Sequence, residues 1–186
     1  TKIDDFILIE PTGIRQTIRG NFQVWEYRQT QAQMYGLDLD ANLSLTDNVR
    51  FVHQFSLVKG YDKTSNEPLI SMPAANTLNS LVYTNPNFNN ISIAIQSNYV
   101  FRQNEFPNTN FEVVLPDSIQ TVDISTPPSG YHLLNLNITA AIRPDMQVGL
   151  YVNNLLNTSY RNYLNRLRYY ADDVGRNITL QLKYNY

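Results

Sequence analysis

The stretch Arg176–Tyr186, RNITLQLKYNY, alternates apolar and polar residues and indicates an amphipathic β-strand. Successive side chains of a strand point to opposite faces, so isoleucine, leucine and tyrosine share one face here. The stretch has eleven residues, which is the length that a tilted strand needs to cross a bilayer. Strands of soluble sandwiches are usually about half as long. The stretch therefore predicts a transmembrane strand, although long amphipathic strands also occur in soluble barrels.

The composition fits a barrel with a polar lumen and aromatic girdles, and it fits a soluble β-protein rich in tyrosine and asparagine equally well. Charged residues make up 16% of the 186 residues, and tyrosine occurs 13 times. The net charge of −2 gives no support for nucleic-acid binding, so no such partner is expected. No apolar run approaches the roughly 18 residues of a transmembrane helix. The absence of cysteine excludes disulfides and thiolate metal sites.

Eight candidate strands follow one another along the chain, and short turns alternate with long loops. The strands are Lys2–Glu10, about 24–45, Val49–Val58, Thr77–Thr84, Ile91–Gln103, Tyr131–Ile142, Gln147–Leu155 and Arg176–Tyr186. The turns lie near Asp47, Asn87 and Asp145, and the long loops cover 11–23, 59–73, 105–130 and 156–175. Outer-membrane barrels combine short periplasmic turns with long external loops. The predicted fold is all-β, an antiparallel transmembrane β-barrel segment of about eight amphipathic strands.

The stretch 157–173 has two interpretations, because Tyr160, Tyr163 and Leu167 recur at roughly helical spacing among several arginines. It could be a basic amphipathic helix at a membrane surface. We favour an external loop that contains a turn of helix at most.

The chain carries weak signals for catalysis and for bound cofactors. It has no glycine-rich phosphate loop, paired-histidine zinc motif or nucleophile elbow. His53 shares a face with phenylalanines and is interpreted as an interfacial side chain, whereas His132, near an external loop, could touch a ligand. Asp38 and Asp40 share a strand face and are expected to hydrate the lumen or to bond cationic side chains across it. We expect no enzyme activity and no cofactor or metal.

Two segments near the end of the chain carry a family resemblance. One is Tyr151–Tyr160, YVNNLLNTSY, and the other is Gly175-Arg176-Asn177 with the alternating strand that follows. Together they resemble the C-terminal signature of TonB-dependent outer-membrane receptors, and 31–38 resembles a strand opening of that family. The signature residues are Asn153, Asn154, Leu155, Tyr160, Gly175, Arg176 and Asn177. The departures are mild: the family more often has phenylalanine at Tyr186 and Leu156, and aspartate at Asn157.

The resemblance implies a domain assignment and a location. TonB-dependent receptors have a 22-stranded barrel filled by an N-terminal plug. The 186 residues hold about eight strands, so residues 1–186 are expected to form the C-terminal portion of such a barrel, without the plug and the earlier strands. The expected location is the outer membrane of a Gram-negative bacterium.

The resemblance also implies a function and partners. The expected function is TonB-energised import of a scarce, bulky nutrient such as an iron-siderophore, haem, cobalamin or a glycan. The partners are the lipid bilayer, the TonB complex through the missing N-terminal part, the outer-membrane assembly machinery and an unidentified nutrient. Candidate ligand contacts in the external vestibule are His132, Arg161, Arg166, Arg168, Tyr169 and Tyr170. Tyr184 and Tyr186 are expected to belong to a C-terminal assembly signal.

Two alternatives remain open at this point. The chain could be a complete eight-stranded outer-membrane barrel with a structural or adhesion role, because eight strands can close around a filled interior. It could instead be a soluble β-barrel binding module, which would have to bury its apolar strand faces.

Overall fold

A computed structural model describes residues 1–108, 110–115, 118–122 and 126–185. Most of these residues form one antiparallel sheet. The strands are β1 (Lys2–Thr17), β2 (Gly20–Ser44), β3 (Val49–Asp62), β4 (Glu67–Pro68), β5 (Asn76–Asn85), β6 (Ile91–Val100), β7 (Phe111–Leu115), β8 (Ser118–Val122), β9 (Tyr131–Arg143), β10 (Met146–Asn153) and β11 (Asn177–Tyr184). The sheet order is β1-β2-β3-β5-β6-β9-β10-β11, β4 adds to β3, and β7 and β8 form a separate hairpin. The predicted all-β class is confirmed.

The strand register places the apolar residues of neighbouring strands on one face of the sheet. Leu81 pairs with Ile95, which pairs with Leu136. On the next strands, Leu150 pairs with Leu180. Because side chains alternate along each strand, the residues between them form a second, polar face. We call the two surfaces the apolar face and the polar face.

Three short turns lie at one end of the sheet, as predicted. They connect β2 to β3, β5 to β6 and β9 to β10. Hydrogen bonds from backbone amides to backbone carbonyls link the turns to neighbouring strands or chain segments: Thr84 to Asn48, Ala141 to Asn89, and Asn185 to Asp145. The long connections lie at the opposite end, which we call the loop end. Each short turn is therefore hydrogen-bonded to the neighbouring part of the chain at this end of the sheet.

The predicted loop over 11–23 is wrong, because β1 and β2 continue as a paired hairpin to Thr17 and Gly20. Pro11 and the glycine that follows at 13 suggest a strand end in the sequence. The register instead shifts between Pro11 and Gly13, so one extra residue is absorbed as a bulge and pairing resumes. The hairpin extends past β3, whose pairing with β2 begins at Ala32.

Two further connections differ in detail from the prediction. β6 ends at Val100, earlier than the expected Gln103. The long loop 105–130 contains the hairpin of β7 and β8. The connection after β10 contains only the four-residue 3-10 helix Arg166–Tyr169, which confirms the loop interpretation of 157–173.

The two outer strands of the sheet each have one neighbour. In the part of the chain that the structure describes, β1 pairs with β2 alone and β11 pairs with β10 alone. The sheet is therefore open along both strands. Among the same residues, no helix is long and apolar enough to cross a membrane.

Candidate functional site

Three loops fold together over the polar face at the loop end. Leu69, in the loop after β3, is buried against Leu8 and Ala32. Gln103, in the loop after β6, donates its Nε2 hydrogen to the Met72 carbonyl at 2.9 Å. Tyr163, in the loop after β10, lines the same space as Pro73 and Gln103 of the other two loops. The loops therefore form one connected cover on the sheet.

A cavity of about 300 Å³ lies beneath this cover, and we call it the upper cavity. Its floor consists of polar-face residues near the strand ends, and its sides come from the loops. The lining includes Pro73, Asn76, Asn98, Phe101, Gln103, Tyr131, Arg161 and Tyr163. The Tyr131 ring lies 4.5 Å from the Tyr160 ring, measured between centroids. The upper cavity thus combines amides with aromatic rings.

Arg161 lines the upper cavity, but its charge is balanced by a neighbouring carboxylate. Its Nε donates to Asp172 Oδ1 at 2.6 Å, and its Nη1 donates to the Arg168 carbonyl at 2.9 Å. Ser159 also donates to Asp172. Hydrogen bonds from Ser159 and Arg161 lower the pKa of Asp172 below its ordinary value, because both favour the ionised carboxylate. The pair stabilises the fold of this loop.

Arg166 and Arg168 each contact aromatic rings. Arg168 is buried, and its guanidinium lies 4.6 Å from the Tyr163 ring centroid and 4.5 Å from that of Tyr169. Arg166 lies 5.2 Å from the ring of Trp25, in β2. A cation over a ring face is attracted by the ring quadrupole. Arg168 therefore makes its contacts within its own loop, and Arg166 connects that loop to the hairpin of β1 and β2.

A second cavity, of about 430 Å³, lies deeper along the polar face. We call it the lower cavity. It is lined by Asp38, Asp40, Gln54, Phe55, Ser56, Asn76, Leu78 and Asn98. Gln54 donates to Asp40 Oδ1 at 2.8 Å. The two acidic residues thus share one face, as predicted, and line the same space.

The family-signature residues form the base of the loop after β10. Asn154 and Asn157 adopt left-handed backbone angles, with φ of 51° and 54°. The Asn154 side chain exchanges two hydrogen bonds with the Thr158 backbone, and Asn157 Oδ1 accepts from the Arg176 amide at 2.9 Å. A Cβ at Gly175 would lie 3.0 Å from Asn157 Oδ1, so glycine allows this close approach. These contacts hold the start of the loop, at Asn157, against its end, at Gly175 and Arg176.

Other signature residues support the same closure. Asn153 and Asn177 are directly paired at the end of β10 and β11. The Leu155 amide donates to the Leu134 carbonyl at 2.6 Å, which continues the pairing toward β9. The signature thus has a structural explanation in these contacts.

The remaining predicted site residues lie away from the cavities or outside the described residues. His132 pairs with Tyr99, and its Nε2 lies 2.8 Å from Ser97 Oγ. Since Tyr131 lines the upper cavity, strand alternation places His132 on the apolar face. Tyr170 is largely exposed, and Tyr184 pairs with Met146 at the turn end. Tyr186 lies outside the described residues. No group of three metal-ligating side chains occurs within the described ranges.

An ion-pair network near the loop end was not predicted. Arg28 Nε lies 2.7 Å from Glu10 Oε1, and Arg28 Nη2 lies 2.6 Å from Asp62 Oδ2. Thr30 donates to Asp62 Oδ1 at 2.6 Å. Because Asp62 is buried, its charge requires such partners. The network joins β1, β2 and β3 beneath the loops.

The cavity-lining amides were also missed. Asn76, Asn98 and Gln103 form no sequence motif, and each would be expected on the polar face of any barrel strand or in a loop. Their common location depends on strand register and on loops distant in sequence. Strand alternation alone identifies Asn76 and Asn98 as polar-face residues, but it does not identify a cavity.

Comparisons with known proteins give matches in structure alone. No protein-family model matches the chain, and no curated protein matches it significantly in sequence. The copper transporter OprC matches 98% of the chain at 19% identity with a TM-score of 0.77, over 27% of the transporter. The ferric enterobactin receptor PfeA of Pseudomonas aeruginosa matches 97% at 13% identity with a TM-score of 0.61, over 27% of that receptor. Only the fold can be inferred at these identities.

A further match is the ferripyoverdine receptor of the outer membrane of Pseudomonas aeruginosa. It covers 85% of the chain and 20% of the receptor, at 12% identity and a TM-score of 0.59. The chain thus spans about a quarter of the length of the structures that it matches. Its fold is that of an outer-membrane receptor barrel segment. More particularly, the fold is that of TonB-dependent receptors, which confirms the predicted resemblance. The predicted outer-membrane location agrees with these matches.

Proposed function

We propose that this chain forms part of the barrel wall of an outer-membrane receptor that imports a scarce, bulky nutrient with energy supplied through TonB. The observation that carries the proposal is the nine-stranded sheet with one apolar and one polar face, in a chain that matches OprC over 98% of its length. A wall between lipid and a wet lumen requires this division of faces. The matched structures are a copper transporter and ferric-chelate receptors, which supports the general role.

In this proposal the chain is the C-terminal portion of a longer receptor, whose plug and earlier strands lie elsewhere in the protein. The apolar face contacts lipid, and the sheet satisfies the backbone polar groups that lipid cannot. The polar face lines the lumen against the plug. The loop end forms the external vestibule, where Arg161 lines the upper cavity and Arg168 contacts the lining residue Tyr163.

The final strand is proposed to serve as an assembly signal. β11 has one free edge in the described residues, and a free edge can add to another sheet through backbone hydrogen bonds. Deletion of Tyr186 should lower the amount of folded receptor in the membrane without changing its synthesis. Heat-modifiable migration on gels and total immunoblots measure the two quantities. Normal membrane insertion after the deletion would contradict the proposal.

Import can be tested with the full receptor in its host. Strains lacking the receptor, or lacking TonB, should lose accumulation of the same nutrient in a screen of iron chelates, haem, cobalamin and oligosaccharides. Restoration of the receptor gene should restore uptake only where TonB is present. Uptake that is equal in all strains for every compound would contradict the proposed function.

The two alternatives receive less support. A closed eight-stranded barrel would pair β1 with β11, and these strands do not pair in the described part of the chain. A soluble module would cover its apolar strand faces, yet Leu180 is 76% exposed and Ile178 is 63% exposed. Both observations favour a segment of a larger membrane barrel.

A further inference from the structure

The upper and lower cavities adjoin on the polar face, because Asn76 and Asn98 line both of them. The two residues lie on neighbouring strands, β5 and β6. Together the cavities form a groove that starts under the loops and descends toward Asp38 and Asp40. We call this the amide groove. Its position at the loop end is where a ligand of the proposed receptor would enter.

The groove provides no free positive charge among the described residues that line it. Arg161 is the charged residue of the upper cavity, and Asp172 neutralises it at 2.6 Å. The lower cavity is lined by two carboxylates and by no lysine or arginine. An anion that descended from the loops would therefore leave a neutral surface and approach two negative charges, and like charges repel. An anionic metal chelate fits this surface poorly.

The groove instead offers unused hydrogen-bonding capacity. Asn98 Oδ1 is buried and has no hydrogen-bond partner in the described structure. A buried polar atom without a partner costs free energy, so it favours a ligand that donates a hydrogen bond to it. Tyr131 adds an aromatic ring to the upper cavity next to these amides. Amides and carboxylates that accept hydrogen bonds, beside an aromatic ring, suit a hydroxyl-rich ring compound.

We infer that the amide groove binds an uncharged oligosaccharide, with Asn76 and Asn98 bonding sugar hydroxyls and Tyr131 stacking on a sugar ring. This inference rests on the proposed import function and specifies its substrate class. The geometry that carries it is the shared lining of the two cavities, the unpartnered Asn98 oxygen and the neutralised Arg161. The three arginines predicted as candidate ligand contacts bond within their own loop or to Trp25 instead.

The test uses the purified full-length receptor and three sets of probes: an array of neutral oligosaccharides, the corresponding uronic-acid oligosaccharides, and a ferric tris-catecholate. We expect at least one neutral oligosaccharide to bind, with weaker binding of the two anionic probe classes. Asn98→Leu and Asn76→Leu should each weaken that binding about tenfold, the effect of one lost hydrogen bond. Asn137→Leu is the matched control, because Asn137 lies on the same face and lines neither cavity.

Several results would overturn the inference. They are binding of the tris-catecholate without binding of any neutral oligosaccharide, no binding on the neutral array, or equal binding by Asn98→Leu, Asn76→Leu and the control. Heat-modifiable migration of each variant shows that it is folded, and either folded groove variant suffices for the comparison. TonB-dependent uptake of a ferric chelate instead of an oligosaccharide would refute the inferred substrate class but would agree with the proposed import function. Absence of TonB-dependent uptake for every compound would refute import itself.

Discussion

Replacement of Leu180 by arginine should destabilise the barrel, because Leu180 lies on the apolar face near the middle of the expected hydrocarbon layer. Its partner Leu150 is five residues beyond the turn at Asp145. At about 3.3 Å per residue and a tilt near 40°, that places the pair about 12 Å above the turn, roughly half of a 25 Å apolar band. Leu180 is 76% exposed, so neighbouring side chains would not shield an arginine there.

The expected loss is about 2–4 kcal/mol of unfolding free energy, the cost of arginine on the lipid face at the midplane. Denaturant unfolding of the full receptor from lipid vesicles measures it. Gln181→Arg is the matched control, because Gln181 follows Leu180 on β11 and faces the polar side, where it pairs with Gly149. We expect the control to lose less than about 1 kcal/mol. Equal losses in the two variants would refute the assignment of the faces.

Three further predictions concern topology, packing and pH. A cysteine at Ser65, in a long loop, should react with an impermeant label on intact cells, whereas one at Asp47, in a short turn, should not; the reverse pattern would invert the orientation. Gly36→Ala should cost about 1–3 kcal/mol in vesicle unfolding, because its Cβ would lie 2.6 Å from the Leu57 carbonyl oxygen, whereas Gly13→Ala, with open space around it, should cost little. The pKa of Asp172 is lower in the folded state than in the unfolded chain, so the ionised carboxylate stabilises the loop fully at pH values above its ordinary pKa. This stabilisation is lost as the pH falls through the lower pKa of the folded state. Proteolysis of the loop should therefore increase in acid, and Asp172→Asn should show the increase already at neutral pH.

Much of the sheet could be predicted from the sequence, because lipid on one side and water on the other require alternation along every strand. The last strand shows this most clearly: Ile178 and Leu180 lie on the apolar face, as expected. The first hairpin could not be predicted in the same way. Pro11 and Gly13 suggest a loop, and only the pairing of β1 with β2 shows that a bulge absorbs them.

The candidate site was much less predictable than the sheet. Asn98 and Tyr163 line the same cavity although 65 positions separate them in the chain. No local pattern indicates that contact, since it depends on how the loop after β10 crosses the polar face. The arginines of that loop suggested ligand contacts because their number is visible in the sequence. Their partners, such as Asp172 for Arg161, appear only in the fold.

Four polar side chains on the apolar face require a separate explanation, because unpaired polar groups are costly in lipid. They lie on neighbouring strands and form two pairs. His53 Nδ1 is 2.7 Å from Asn79 Oδ1, and Ser97 Oγ is 2.8 Å from His132 Nε2. Each histidine thus uses one ring nitrogen within the sheet, and each partner lies on the adjacent strand. Since each pair satisfies one ring nitrogen of its histidine, it lowers the cost of placing these groups on the apolar face, and His132 has a structural reason to lie outside the vestibule.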